Sequence, residues 1–347
     1  MNSDVRNGAG EGGADGVLKG EISSGTASDV RTPARPCRHM RENDRVTSAT
    51  RQPETPASSK LSTSLEQGET PTVRPRLIAT DLDGTLLRDD KSVSPRTVAA
   101  LAAAEEAGIE VFFVTGRPAR WMDVVSDHVH GHGLAICGNG AAVVDLHGGP
   151  GSHRFVKVRE LARENALDAV RLLRDAAPGT MYAVEQTYGF HQEPDYPKLH
   201  METPDELASA EDLLAADGPG AGEPVLKILA YHHTLDPDAF LTLARLAIGD
   251  RANVTRSSPS ALLEISGPGV SKASTLALCC AERGISNEEV VAFGDMPNDV
   301  EMLTWAGRSY AMGNAHPDVI AAASGRTVAN NEDGVAVVIE ELLAERC

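Results

Sequence analysis

The chain has 347 residues, a formal net charge of −18 and a hydrophobic fraction of 41%. This length exceeds one average domain, and the apolar fraction is sufficient for a sizeable core. The negative charge argues against a general nucleic-acid binder, because the release of counterions from nucleic acid needs clustered Lys and Arg. Any site for an anion must therefore be built locally, from a metal ion, a lysine and backbone N–H groups.

The cysteine content and the hydropathy of the chain indicate the cellular compartment in which we expect the protein. The five cysteines are odd in number and never form a Cys-x-x-Cys pair, so neither a disulfide framework nor a zinc site is predicted. No apolar run reaches the roughly 18 residues of a membrane span, and the N-terminus lacks the apolar stretch of a secretory signal. We expect a cytoplasmic protein, monomeric or homodimeric, without nucleic-acid or membrane partners.

The first segment, residues 1–74, differs from the rest in composition. It is rich in Gly, Ser, Thr, Pro and charged residues and rarely places two large apolar residues at helical or strand spacing. Such a segment cannot bury enough surface to offset chain entropy, so we predict a disordered tail. Two interpretations stay open: a passive tail, which includes a wrongly assigned start codon, and a regulatory arm.

From Arg76 onward, strands and helices alternate. Short apolar runs typical of buried parallel strands occur at 77–80, 111–114 and 134–137. Ser94 and Pro95 supply the N-cap and first residue of a helix that ends before Gly108. A second helix is predicted from Pro118 to His128. This order is the signature of a doubly wound α/β fold with a mainly parallel sheet.

The same alternation returns near the C-terminus. Predicted helices occupy 272–284, 297–306, 317–323 and 334–345, and predicted strands occupy 290–293 and 309–312. The middle of the chain is instead rich in strands, with a helix near 158–177, a hairpin at 181–191, a strand at 227–231 and a helix opened by Asp236 and Pro237. We therefore predict an α/β core from 75–154 and 259–347, interrupted by an α+β domain at 155–258.

The strongest chemical signal is Asp81-Leu82-Asp83-Gly84, which directly follows a buried strand. Ligand sites of α/β sheets lie at the carboxyl ends of strands, and Asp81 and Asp83 point the same way because side chains repeat with period two. Two such carboxylates repel each other unless a cation or a shared proton intervenes. One can act as a nucleophile, the other can carry protons, and Gly84 permits close backbone approach to an oxyanion.

This motif has two other interpretations. The first is an Asp-rich turn that merely ends a strand. The second is a calcium loop of the EF-hand type, which is disfavoured because Gly84 stands at loop position four instead of six and Ser92 occupies the position that needs Glu.

Three further signals also lie at strand ends or helix starts. Thr115-Gly116-Arg117 offers a hydroxyl and free N–H groups to an anion, Lys272 offers a compact positive charge, and Asp295 with Asp299 suits Mg²⁺. Each has a plain alternative: an ordinary turn, a surface lysine, or acidic residues favoured by a helix dipole. Because all of them fall on one α/β pattern, their coincidence predicts a single site.

The order Asp-x-Asp, Thr, Lys, Asp resembles the four motifs of the haloacid dehalogenase-like (HAD) hydrolases. The chain is most similar to the Cof-type branch, whose larger cap domain lies between the second and third motifs, where the predicted insertion falls. The resemblance starts at Arg76 and leaves the first 74 residues unexplained. Further similar segments are 139–141, 312–315 and 330–336.

The resemblance implies a HAD-like Rossmannoid core with an α+β cap that hydrolyses small phosphorylated metabolites, such as sugar phosphates or phosphorylated cofactors, through an aspartyl-phosphate intermediate with Mg²⁺. It assigns Asp81 as nucleophile and Asp83 as acid and then base. The implied phosphate-binding residues are Thr115, Gly116, Lys272 and Gly84. The implied metal ligands are Asp81, Asp295 and, through its carbonyl, Asp83. The implied supporting residues are Asn298, Asp299 and Asn139.

Two functions of other kinds remain open at this point: a phosphotransferase or mutase of the same fold, and a non-catalytic binding protein. The intact set of acidic and basic motif residues argues against the latter. Substrate choice is expected to depend on the cap, where the candidates in the hairpin region are Glu185, Tyr188, His191 and Lys198.

Overall fold

The computed structural model describes residues 73–126, 133–149, 151–199 and 203–345. The predicted disordered tail lies almost wholly outside these ranges, so its disorder stays a prediction. Among the helices of the described ranges, none combines the length and the apolar character needed to cross a bilayer.

Fourteen strands and nine α-helices form within the described ranges. The strands are β1 Leu77–Thr80, β2 Glu110–Val114, β3 Leu134–Cys137, β4 Ala142–Asp145, β5 Arg154–Val158, β6 Met181–Gln186, β7 Phe190–Gln192, β8 Glu206–Leu207, β9 Val225–Tyr231, β10 Asn253–Thr255, β11 Leu262–Ser266, β12 Val290–Gly294, β13 Arg308–Ala311 and β14 Gly325–Arg326. The helices are α1 Pro95–Glu106, α2 Asp123–Ser126, α3 Arg163–Ala176, α4 Ala210–Leu213, α5 Pro237–Ile248, α6 Lys272–Glu282, α7 Val300–Trp305, α8 Pro317–Ala322 and α9 Gly334–Ala344.

Eight strands form the core sheet, in the order β14-β13-β12-β1-β2-β3-β4-β5. Strands β14 to β3 run parallel, whereas β4 and β5 are antiparallel to their neighbours. Helices α1 and α9 contribute buried apolar side chains to one face, and α6, α7 and α8 cover the other. Both faces of β1 are therefore buried, which explains why its first three residues, 77–79, are all apolar. The predicted doubly wound α/β class is confirmed.

Six strands form the inserted sheet, in the order β10-β11-β9-β6-β7-β8, with antiparallel pairing except between β7 and β8. Side chains of α3 and α5 pack on one face, against Tyr182, Ile228 and Ile265. The opposite face carries Lys227 and Glu264, which are both buried. This face supplies residues to the site described below.

The predicted boundaries of the insertion need correction. Residues 155–158 belong to β5, which pairs with β4 in the core sheet, so the boundary at 155 cuts through a core strand. The boundary at 258 falls before β11, which pairs with β9 in the inserted sheet. The helix predicted from Val158 starts at Arg163 instead, because 154–158 form an edge strand.

The helix predicted from Pro118 to His128 is irregular in its described part. A 3₁₀ turn at Ala119–Trp121 precedes α2, and residues 127–132 lie outside the described ranges.

Candidate active site

The four sequence motifs meet at one edge of the core sheet. Strand β1 lies between β12 and β2, so the residues that follow these parallel strands, Asp81, Thr115 and Asp295, share the carboxyl edge. Lys272 is the first residue of α6, whose N-cap is the Ser271 side chain, which accepts a hydrogen bond from the Ser274 N–H. The topology thus places all four motifs at the same point of the fold.

Lys272 joins two of the acidic motifs. Its Nζ donates to Asp81 Oδ1 at 2.5 Å and to Asp299 Oδ1 at 2.7 Å, and its side chain is 0% exposed. Burial by itself would lower the pKa of Lys272, but the adjacent carboxylates of Asp299 and Asp81 raise that pKa above its usual range. The ammonium group is therefore a fixed positive charge beside Asp81.

Three buried carboxylates surround this lysine. Asp81, Asp295 and Asp299 each offer an oxygen, and these oxygens lie within 4.8 Å of one another. Burial raises the pKa of Asp81 well above its ordinary value. Burial, together with the negative charge of Asp299, raises the pKa of Asp295 to about 7. Burial is the main cause of both shifts, and the neighbouring carboxylates add to it.

The charge balance of the cluster fits a divalent cation. When all groups are ionised, the three carboxylates and the one ammonium group carry a net charge of −2. Burying this charge without a counterion is unfavourable in free energy. Oxygen ligands from carboxylates are those that Mg²⁺ accepts. Both oxygens of Asp299 are already engaged, since Oδ1 accepts from Lys272 and Oδ2 accepts from the N–H groups of Asp295 and Met296 at 3.0 Å each. Asp81 and Asp295 are thus the better metal ligands.

The side chain of Asp83 lies outside this cluster. It forms two hydrogen bonds with Arg117, at 2.6 and 2.7 Å, and one with Lys91 at 2.8 Å. Although burial favours its neutral form, Arg117 and Lys91 lower the pKa of Asp83 to about 2. The cluster of three buried carboxylates therefore consists of Asp81, Asp295 and Asp299, and the Asp83 side chain is not part of it. The metal ligation assigned to the Asp83 carbonyl stays a prediction.

The Thr115-Gly116-Arg117 loop is held by hydrogen bonds on both sides. The Thr115 hydroxyl oxygen accepts from the Arg117 N–H at 3.1 Å, and the Thr115 carbonyl accepts from the Asn139 N–H at 2.9 Å. Asn139 Oδ1 in turn accepts from Asn298 Nδ2 at 2.9 Å. The two predicted supporting asparagines thus bind each other and join the Thr115 loop to the Asp295 loop.

Gly84 is required by close packing. Its φ is +80°, and a Cβ there would lie 2.3 Å from Asp295 Oδ2. The same acidic side chain accepts from Thr85 Oγ1 at 2.8 Å through its other oxygen. Gly84 therefore makes room for the Asp295 carboxylate, while its predicted contact with phosphate stays a prediction.

The four cap candidates differ in surroundings. Glu185 is buried and pairs with Arg120, which follows the Thr115 loop. Tyr188 is 75% exposed and packs edge-on to a core-sheet phenylalanine. His191 is buried against the Gln186 side chain at 2.9 Å, and Lys198 is exposed. Glu185 is therefore the candidate that connects most directly to the predicted site.

Sequence reasoning missed the buried ion pair between Lys227 and Glu264. Lys227 Nζ also donates to the Gly116 carbonyl at 2.6 Å, which ties the inserted sheet to the Thr115 loop. A signal was available, because each charge interrupts an otherwise apolar strand, VLKILAY in β9 and LLEIS in β11. The roles of Arg117 and Lys91 at Asp83 were missed as well.

The amino-acid sequence is similar to those of known proteins. Residues 78–339 match the family model of the haloacid dehalogenase-like hydrolases. The chain is 29% identical over 276 residues to a 5-amino-6-(5-phospho-D-ribitylamino)uracil phosphatase of Bacillus subtilis, which covers 77% of this chain and 97% of that protein. A phosphatase of the same name from Escherichia coli is 29% identical over 281 residues, with 77% and 96% covered.

The fold is similar to that of a solved structure. The haloacid dehalogenase-like hydrolase of B. subtilis superposes with a TM-score of 0.66 at 26% identity, over 77% of this chain and 99% of that one.

Proposed function

We propose that this chain, which belongs to the haloacid dehalogenase-like hydrolases, is a Mg²⁺-dependent phosphatase that hydrolyses phosphate monoesters of small metabolites through a phosphorylated Asp81. The observation that carries the proposal is the buried contact between Lys272 and Asp81 inside a group of three carboxylates. A nucleophile, a fixed cation and an oxygen-rich cation site at a strand end are the parts that phosphoryl transfer needs.

In the first half-reaction, a carboxylate oxygen of Asp81 attacks phosphorus and the bond from phosphorus to the ester oxygen breaks. Asp83 gives its proton to the leaving oxygen, so that an alcohol departs. Lys272 and the Thr115 hydroxyl stabilise the charge on the non-bridging phosphoryl oxygens. Magnesium held by Asp81 and Asp295 supplies further positive charge against those oxygens when it is bound.

In the second half-reaction, a water molecule attacks phosphorus and the bond from phosphorus to Asp81 breaks. Asp83 takes the proton of the water, which returns it to the acid form, and Asp81 regains its carboxylate. The pairing of Asp83 with Arg117 and Lys91 suits this base step, because it keeps the carboxylate ionised. The acid step requires the contact between Arg117 and Asp83 to open.

We assign substrate choice to the face of the inserted sheet that carries Lys227 and Glu264, together with apolar residues such as Leu229. This face presents Glu185, Lys227 and Glu264, and the Tyr196 hydroxyl has no hydrogen-bond partner within the described ranges. Such a surface suits a leaving group that carries hydroxyl or other hydrogen-bonding groups. Sugar phosphates and phosphorylated cofactors are of this kind, and the names of the two relatives add a phosphorylated ribitylaminouracil to the compounds worth testing.

The test is the release of inorganic phosphate from p-nitrophenyl phosphate and from a panel of phosphorylated metabolites, with Mg²⁺ and with EDTA. We expect hydrolysis with Mg²⁺ and none with EDTA, and a strong preference for one or a few members of the panel. A folded protein that releases no phosphate from any monoester in the presence of Mg²⁺ would refute the proposal. Dependence on a bisphosphate activator would indicate a mutase instead.

A further inference from the structure

The ion pair between Lys227 and Glu264 is unusual in its burial. The two side chains are 5% and 3% exposed, and the Ser257 hydroxyl donates to the same glutamate. Removing two charges from water costs about as much as their attraction returns, so a buried ion pair is a poor source of stability. Stability therefore does not explain why this ion pair lies on the face of the inserted sheet that contacts the loops of the core.

The reason is found in the second contact of Lys227, its hydrogen bond to the Gly116 carbonyl at 2.6 Å. The peptide between Gly116 and Arg117 is planar and trans, so its carbonyl and its N–H point in opposite directions. A cation that holds the carbonyl therefore also fixes the direction of the N–H group of Arg117.

The Arg117 N–H donates to Thr115 Oγ1 at 3.1 Å. A hydroxyl that accepts one hydrogen bond still has its own proton to donate. With this N–H in place, the proton of Thr115 is directed away from the loop backbone. One peptide plane thus connects a lysine of the inserted sheet to the hydroxyl proposed to bind phosphate.

The surroundings of Gly116 restrict the rotation of this peptide. A Cβ at Gly116 would lie 3.2 Å from Glu264 Oε1 and 3.2 Å from Asn139 Oδ1, so the loop is packed closely against both side chains. Glu264, the ion-pair partner of Lys227, thus also packs against this loop.

We propose that Lys227 is a positioning residue, which orients the Gly116–Arg117 peptide so that the Thr115 hydroxyl donates to the phosphoryl group of the substrate. The inference rests on the function proposed above. It makes the inserted sheet part of the phosphate site, because the core alone leaves the Gly116 carbonyl without this donor.

The test is a double-mutant cycle between the ion pair and Thr115. Because Lys227→Met alone leaves a buried glutamate unpaired, the pair is replaced as Lys227→Met with Glu264→Gln. Kinetic constants for p-nitrophenyl phosphate with Mg²⁺ are measured for wild type, for Thr115→Ala, for the pair variant and for the triple variant. Lys157→Met with Glu282→Gln removes an exposed ion pair and serves as the control.

We expect the pair variant to lower kcat about tenfold with little change in KM, as expected of an interaction that acts in the transition state. In the Thr115→Ala background the same change should cost less than about twofold, because residues that act through one another are not additive. The control pair should leave both constants unchanged. Equal factors in the two backgrounds would overturn the inference.

Failure of the proposed function is distinguishable from failure of this inference. If the wild-type protein hydrolyses no monoester, the proposed function is refuted. The double-mutant cycle is then measured on the affinity for inorganic phosphate, by calorimetry in the presence of Mg²⁺. A loss of phosphate affinity that disappears in the Thr115→Ala background supports the role of Lys227. A loss of equal size in both backgrounds, or no loss, refutes it.

Discussion

Lys272 Nζ donates to Asp81 Oδ1 across 2.5 Å, although 191 residues separate the two in the chain. The contact exists because α6 begins where β1 ends, at the carboxyl edge of the core sheet. The same ammonium group binds Asp299 at 2.7 Å. One buried cation therefore holds the proposed nucleophile and the loop that carries Asp295 in a fixed relation, which makes several consequences testable.

Asp81→Asn should abolish turnover while the fold persists. The amide is nearly the same size as the carboxylate, but it cannot attack phosphorus as an anion. We expect kcat for p-nitrophenyl phosphate to fall by at least about a hundredfold, given the size of single catalytic groups, and circular dichroism to stay unchanged. Residual activity above about a hundredth of wild type would contradict the assignment of Asp81.

Lys272→Met should destabilise the metal-free protein strongly. The substitution leaves Asp81 and Asp299 buried without their cation, and breaking a buried pair from one side costs about 3–5 kcal/mol. The free energy of unfolding from urea denaturation measures the loss. Lys157→Met is the matched control, because its ion pair with Glu282 is largely exposed and exposed pairs contribute little. Similar losses of unfolding free energy in the two variants would show that the burial of the Lys272 ion pairs does not increase their contribution to stability.

The features of the fold and site that could be predicted from the sequence are those that depend on the order of residues within short segments. Asp81, Thr115 and Asp295 each follow a short apolar run, and a doubly wound topology brings the ends of such strands to one edge. Lys272 follows an N-cap serine, which places it at a helix start. No knowledge of side-chain packing was needed to expect that these four residues meet.

The parts that were missed depend on contacts between distant segments or on an uncommon backbone conformation. The pairing of Lys227 with Glu264 follows from the register of β9 against β11, in which Leu229 lies opposite Glu264, and no local pattern specifies that register. Lys91, one of the two partners of Asp83, was missed for a different reason, since it lies only eight residues away in the chain. Lys91 reaches Asp83 from a turn with a left-handed φ of 68°, a conformation rare for residues other than glycine.

Metal binding should be linked to the protonation of Asp295. The pKa of Asp295 is raised to about 7 in the folded, metal-free protein, because the group is buried and lies near Asp299, whereas its ordinary value is 3.8. The folded state thus binds a proton more tightly than the unfolded state, so this group makes the metal-free protein less stable as the pH rises from about 4 to about 7. Mg²⁺ competes with that proton.

The measurement is the melting temperature with EDTA and with Mg²⁺, between about pH 5.5 and about pH 8.5. We expect the stabilisation by Mg²⁺ to be small at the acidic end and to grow through pH 7. Asp295→Asn should remove most of this Mg²⁺ effect and make the metal-free protein more stable at the alkaline end. A Mg²⁺ effect of the same size at every pH would contradict the link.

Gly84→Ala should abolish Mg²⁺ binding because of one steric contact. A Cβ at Gly84 would lie 2.3 Å from Asp295 Oδ2 and 2.8 Å from its Cγ, so the carboxylate has to move out of its place between Thr85 and the other acidic groups. The left-handed φ of +80° adds backbone strain of about 1 kcal/mol or more to any substitution by an L residue. This strain lowers the stability of the variant by itself, independently of the contact with Asp295.

Gly108→Ala separates the two effects. Gly108 has a φ of +78°, nearly that of Gly84, but a Cβ there would meet no heavy atom within 4 Å. Both variants should lose similar stability from backbone strain, as measured by urea denaturation with EDTA. Only Gly84→Ala should lose the heat of Mg²⁺ binding in calorimetry and the Mg²⁺-dependent hydrolysis of p-nitrophenyl phosphate. If Gly84→Ala binds Mg²⁺ as tightly as Gly108→Ala, the Asp295 carboxylate is not the metal ligand proposed here.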